Sequence, residues 1–123
     1  KYKNSLLSTE RKTVIKNELI QYFDTEKPYL NPDLNMHKLS VDLNIPKYQL
    51  TEVLNTEIEM NFFQFVNTYR IESAKKALLT KSKYFSIEAI GYDCGFNSKS
   101  SFYTTFKKLA GQTPLQYMNS MES

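Results

Sequence analysis

The strongest pattern of apolar and polar positions lies between Ser86 and Tyr117. Ser86 suits an N-cap, and Ile87, Ile90, Gly91 and Cys94 then recur on one helical face while Glu88, Ala89 and Asp93 fall elsewhere. Gly95 stands where a helix ends in a residue that tolerates positive φ. Ser98 can cap a second helix whose apolar positions are Phe102, Phe106 and Leu109. Helix, glycine turn and helix together predict a helix-turn-helix. With Phe102 and Phe106 inward, the outer face of the second helix carries Lys99, Ser100, Ser101, Tyr103, Thr104, Lys107 and Lys108. These are cations and hydroxyls with no acid among them, a set that suits phosphates and base edges.

Upstream, Val14, Ile15, Leu19, Ile20, Tyr22 and Phe23 approximate a helical stripe, which predicts a helix from Thr9 to about Thr25 that packs on the helices after it. Lys1 to Leu7 has no clear period and reads as a frayed lead-in. Pro28 and Pro32 make the next stretch a rigid connector. Asn35 then caps a helix with Met36, Leu39 and Leu43 on one face beside Ser40. Asn44, Ile45 and Pro46 turn the chain, and Lys47 to about Thr56 forms another helix with Leu50, Val53 and Leu54 inward.

This second pattern repeats the first. Adding 51 carries Met36 to Ile87, Leu39 to Ile90, Ser40 to Gly91, Leu43 to Cys94, Asn44 to Gly95 and Ile45 to Phe96. Adding 52 then carries Leu50 to Phe102, Leu54 to Phe106, Glu59 to Gly111, Asn61 to Thr113, Gln64 to Gln116 and Phe65 to Tyr117. Two copies are too few for a solenoid and describe a tandem pair. Between them Phe62, Phe65, Val66, Tyr69, Ile71, Ala74 and Leu78 fit one long helix. About 18 residues at roughly 1.5 Å each give about 27 Å of rod. A rod of that order would let the two second helices enter successive major grooves, roughly 34 Å apart on one face of B-DNA. The expected fold is all-α: an N-terminal helix, then two helix-turn-helix subdomains joined by a long linker helix, about seven helices in all. The expected divisions are 1–33 for lead-in, helix and connector, 34–60 for the first subdomain, 61–80 for the linker helix and 81–123 for the second subdomain.

Composition narrows the function. The chain of 123 residues, 41% hydrophobic, has room for one core or two small ones. Lys and Arg number 8 against 9 Asp and Glu in residues 1–61, but 8 against 4 in residues 62–123, so the net +3 is concentrated in the second half. A basic half with a hydroxyl-rich helix fits a polyanion. One cysteine (Cys94) and one histidine (His37) leave no intrachain disulfide and no metal-ligand cluster, and no glycine-rich phosphate loop or acid–base constellation is present. The expectations are no enzyme, no cofactor and no metal. No apolar run is long enough to span a bilayer, and the expected location is the cytoplasm. Cys94 reads as a small buried residue, His37 as solvated, and Arg70 as a side chain that holds a neighbouring carboxylate or helix end.

From about Leu34 to Tyr117 the chain resembles the DNA-binding domain of the AraC/XylS family of transcription regulators, most specifically in YRIESAKKALL and IEAIGYDCGFNSKSSFYTTFKKLAGQTPLQY. The resemblance implies two helix-turn-helix subdomains that bind double-stranded DNA, usually activating transcription through RNA polymerase, with a separate N-terminal sensor or dimerisation region. By position it puts base-reading residues at Lys99, Ser100, Ser101 and Thr104, with Lys107 nearer the backbone, and in the first copy at Tyr48, Gln49, Thr51 and Glu52. With their flanks, the candidate DNA-binding residues are Ser98, Lys99, Ser100, Ser101, Tyr103, Thr104, Lys107 and Lys108 in the second copy, and Lys47, Tyr48, Gln49, Thr51 and Glu52 in the first. The first copy departs from the family pattern: Glu52 stands where relatives often have arginine, Glu59 replaces the usual glycine, and Glu57 adds a third acid. A carboxylate repels phosphates, so the second copy is expected to supply most of the affinity. The alternative is a helical protein-interaction module that keeps the fold with little DNA specificity.

Overall fold

Most of the helices begin where a short polar side chain caps them. The backbone N–H of Arg11 donates to Ser8 Oγ (3.0 Å), that of Lys38 to Asn35 Oδ1 (2.8 Å), that of Ala89 to Ser86 Oγ (3.1 Å) and that of Ser101 to Ser98 Oγ (3.0 Å). The computed structural model describes residues 6–122, so most of the lead-in expected over the first seven residues lies outside them. Seven α-helices and no strand occur among the described residues: α1 (Thr9–Glu26), α2 (Met36–Leu43), α3 (Lys47–Val53), α4 (Phe62–Lys81), α5 (Ile87–Asp93), α6 (Lys99–Ala110) and α7 (Pro114–Ser120). The all-α expectation holds. α3 is shorter than its pattern predicts, because Leu54–Ile58 widens into a π turn that closes on Glu59.

The chain divides into two compact units. One comprises the residues up to Pro28 with Asp33–Phe65, and the other Tyr29–Pro32 with the residues from Val66 onward. In the first, α1 buries Ile15, Leu19 and Phe23, while Val14 of the expected stripe stays exposed. Leu39, Ile45, Leu50, Val53, Leu54 and Phe65 join them as buried apolar residues, and the Phe23 and Phe65 rings meet at 4.8 Å between centroids. In the second, Ile71, Ala74 and Leu78 of α4 pack with Ile90, Cys94, Phe96, Phe102 and Phe106. Leu109, expected inward, is exposed: Gly111 already ends α6 one turn past Phe106.

The two helix-turn-helix copies share their hydrogen bonds, not only their pattern. Ile45 N–H donates to Ser40 O and Phe96 N–H to Gly91 O, each at 3.1 Å. The turn residues Asn44 and Gly95 both have positive φ, 54° and 104°. Asn tolerates that region through its short polar side chain, whereas Gly95 is required by space as well. A Cβ there would lie 2.2 Å from Tyr29 O and 2.7 Å from Arg70 Nε. Asn61 with Gln64, and Thr113 with Gln116, form matching reciprocal caps ahead of α4 and α7.

Glu59 and Gly111 also correspond, and both are left-handed, at φ 62° and 77°. Glutamate carries a steric cost there that glycine does not. Glu59→Gly should therefore raise the free energy of unfolding in urea by about 0.5–1 kcal/mol, the relief of strain exceeding the added chain entropy. Gly95→Ala should lower it by at least about 2 kcal/mol, since strain adds to a collision with backbone.

Candidate nucleic-acid interface

Residues inside α6 alternate between core and solvent at the helical period. Phe102 and Phe106 are buried, and Lys99, Ser100, Ser101, Thr104, Lys107 and Lys108 are exposed. Ser98, half-buried, spends its hydroxyl on the cap. The result is a rigid rod with three ammonium groups and three hydroxyls on one side. Among the described residues no ion pair engages Lys107 or Lys108.

Tyr103 does not belong to this open face. It is half-buried, packs edge-on against Phe102 at 5.7 Å between centroids, and its hydroxyl donates to Glu88 Oε1 at 3.1 Å. Burial first, and then that bond, push the Tyr103 phenol above its ordinary pKa. The same carboxylate oxygen lies 3.5 Å from Lys99 Nζ, which also sits 5.7 Å over the Tyr103 ring. The acid-free face expected from α6 alone thus has an acid beside it, contributed by α5. Bonding to its own backbone amide, then to Tyr103, holds the Glu88 carboxyl below its ordinary pKa. The periodicity excluded Glu88 because it falls off the apolar face of its own helix. The missing signal was the neighbouring helix.

The first copy presents a different surface. Lys47 and Tyr48 are exposed, Tyr48 at 68%. Gln49 is half-buried with Oε1 turned inward, and its amide lies 3.4 Å from the Tyr48 hydroxyl. Thr51 is half-buried and lines a shallow dent of ≈ 100 Å³ with Met36, Leu54, Asn55, Asn61 and Phe62. Glu52 is the clear correction. It is 5% exposed, with Oε2 3.2 Å from Lys12 Nζ of α1, so it lies inside the first unit and not on the outer face of α3 where the repeat pattern put it. Sequence reasoning missed this because Lys12 lies 40 residues upstream, on an element outside the repeat. It also missed Asn55, exposed at the position that corresponds to Lys107.

Two further side chains fall where the second unit needs them. Arg70 donates from Nε to Tyr29 O (2.7 Å) and from Nη2 to Asn31 O (2.9 Å), and lies 5.9 Å over the Phe96 ring. These carbonyls lie in and just after the short 3-10 helix Pro28–Leu30, so of the two expected partners Arg70 holds a helix end and not a carboxylate, and burial lowers its pKa from the ordinary arginine value. Cys94 is buried with Sγ 3.5 Å from Ser73 Oγ, and burial raises its thiol pKa. That environment suits a packing residue rather than a reactive thiol. His37 is exposed. Among the described residues no group of three or more His, Cys, Asp or Glu side chains has metal-binding geometry, and no helix is long and apolar enough to cross a membrane.

A sequence model described as helix-turn-helix domain matches residues 39–120. An uncharacterised HTH-type transcriptional regulator of Staphylococcus aureus (strain COL) is 32% identical over 101 residues. That stretch is 82% of this chain but only 13% of the relative, so the chain spans a small part of that protein's length. Among solved structures, the C-terminal domain of AraT, a response regulator from Geobacillus stearothermophilus, superposes with a TM-score of 0.74 at 27% identity, covering 94% of this chain and 88% of the other. A transcriptional regulator from Chromobacterium violaceum, described as an AraC-type DNA-binding domain-containing protein, gives a TM-score of 0.76 at 17% identity, covering 90% and 97%.

Glu52→Gln should lower the free energy of unfolding by about 1–3 kcal/mol, because it leaves the half-buried Lys12 ammonium without its charge partner. Bound-sequence selection with the folded variant should return the same base preference as the parent.

Proposed function

From the premise that the chain belongs to the AraC-type helix-turn-helix domain family, we propose that it is the sequence-specific double-stranded DNA-binding part of a transcription regulator. The observation that carries this reading is the outer face of α6. There, Lys99, Ser100, Ser101, Thr104, Lys107 and Lys108 project from a helix whose opposite side is anchored by Phe102 and Phe106. Cations on such a face draw in phosphates regardless of sequence. Hydroxyls among them supply donors and acceptors for base edges.

In this reading α6 enters one major groove, with Lys99, Ser100, Ser101 and Thr104 toward bases and Lys107 and Lys108 toward the backbone. α3 enters the next groove, with Lys47, Tyr48 and Gln49 as its contacts. Thr51 stands at the margin of that surface, and Asn55 joins it in the place of Lys107. The burial of Glu52 removes one of the three acids that argued for a protein-interaction module, and Glu57 and Glu59 remain exposed. The whole protein would work in the cytoplasm, joining this part to a sensor or dimerisation region and contacting RNA polymerase. The far greater length of the staphylococcal relative supports the additional region.

Selection of bound sequences from a random duplex library tests the proposal directly. Two conserved blocks about one helical turn apart are expected. Failure to enrich any motif, with equal weak binding to a scrambled duplex, would overturn it. Lys107→Ala should weaken binding to the selected and scrambled duplexes alike and reduce the log–log salt slope by about 1. Thr104→Ala should instead alter the preferred base at one or two positions.

A further inference from the structure

Lys99 differs from the other cations of α6 in having a carboxylate within reach. Glu88 Oε1 lies 3.5 Å from Lys99 Nζ, and the Tyr103 hydroxyl donates to the same oxygen at 3.1 Å. Tyr103 is itself fixed against Phe102, so the carboxylate is held at this edge of α6 rather than swinging freely in solvent. The Tyr103 ring below the ammonium, 5.7 Å from Nζ to the centroid, gives Lys99 a second reason to stay there. Three side chains from two helices thus form one small assembly on the face that the proposed function turns toward DNA.

The repeat supplies an internal control. The positions corresponding to Glu88, Lys99 and Tyr103 in the first copy are His37, Lys47 and Thr51. That triplet has no acid and no phenol, and among the described residues no ion pair engages Lys47. The arrangement in the second copy is therefore an addition to the helix-turn-helix framework and not a requirement of it.

Resting on the reading of α6 as a DNA-entering helix, we infer that Glu88 is a positioning residue of the interface: it tethers the Lys99 ammonium and restrains the indiscriminate attraction of α6 for phosphates. An exposed pair of this kind is weak, so a well-placed phosphate competes for Lys99 and the effect is graded. The carboxylate also offsets part of the positive field at the end of the helix nearest the bases. Lys107 and Lys108, at the other end, keep their full charge for the backbone. Discrimination by Ser100, Ser101 and Thr104 then weighs more heavily in total binding than it would beside three free ammonium groups.

The test uses Glu88→Gln, which retains an oxygen acceptor for Tyr103 and removes the charge. It should bind both the selected and a scrambled duplex about threefold to fivefold more tightly at low salt, with a log–log salt slope steeper by about 1. Lys99→Ala should cost the parent protein less than Lys107→Ala does, yet remove the whole gain in the Glu88→Gln background. A merely structural role for Glu88 would not move the salt slope. Without DNA, ¹⁵N spectra of the lysine ammonium groups should show slower proton exchange at Lys99 than at Lys107, and Glu88→Gln should abolish the difference.

A parent protein that binds duplex DNA while Glu88→Gln matches it in affinity and slope would overturn the tether alone. Equal ammonium exchange at Lys99 and Lys107 would do the same. A parent that binds neither duplex would overturn the proposed function and this inference with it.

Discussion

The second unit depends on one half-buried cation. Arg70 donates to two carbonyls of the connector, at Tyr29 and Asn31, while its guanidinium lies against Phe96, the first core residue after the helix-turn-helix turn. A planar fork with several donors can satisfy two carbonyls and still offer a face to an aromatic ring, which a lysine could not do. Tyr29 is buried, its ring 5.4 Å from that of Tyr69 between centroids, which fixes the first of these carbonyls beside α4. Gly95 is then a necessity, since the Arg70–Tyr29 hydrogen bond occupies the place where a side chain would project. The glycine of the turn, the arginine of the long helix and the proline-bounded connector are thus one constraint seen from three points in the sequence.

Divergence between the copies arises from what each helix-turn-helix has beside it. In the first, α1 supplies Lys12, so the position corresponding to exposed Thr104 can hold a buried glutamate. In the second, α5 supplies Glu88, so the position corresponding to small Thr51 holds a tyrosine anchored at its hydroxyl. Each copy therefore carries one acid–base pair next to its second helix, at different places and with different effect. The pair in the first copy is largely withdrawn from solvent and serves the fold. The pair in the second is more exposed and lies beside the open face of α6.

Much of this architecture was legible in the sequence because it is written in local chemistry. Caps at Asn35, Ser86 and Ser98, the breaks at Pro28 and Pro46, and the inward residues Leu50, Leu54, Phe102 and Phe106 each depend on neighbours within one or two turns of chain. The exposed face of α6 was readable for the same reason. What was not readable depends on partners far away in sequence. Glu52 looks like a surface acid until Lys12 is brought to it, and Tyr103 looks like a free phenol until Glu88 is. Arg70 could be assigned to a carboxylate or a helix end, but not to the particular backbone carbonyls 39 and 41 residues upstream. The early end of α3 was hidden too, since a π turn over Leu54–Ile58 leaves the apolar spacing almost unchanged.

The matching reciprocal caps at Asn61 with Gln64 and at Thr113 with Gln116 have a further meaning for how such a chain came to be. They make the beginning of α4 the counterpart of the beginning of α7, with Phe65 standing for Tyr117. The long helix is then no inserted spacer. It is the closing helix of the first repeat, prolonged from the seven residues that α7 has to twenty. A duplication joined in this way has its seam inside hydrogen-bonded helix rather than in a loop. Recombination that exchanged one repeat for another would have to keep an unbroken ladder of backbone hydrogen bonds, each from an N–H to the carbonyl four residues earlier, across the seam.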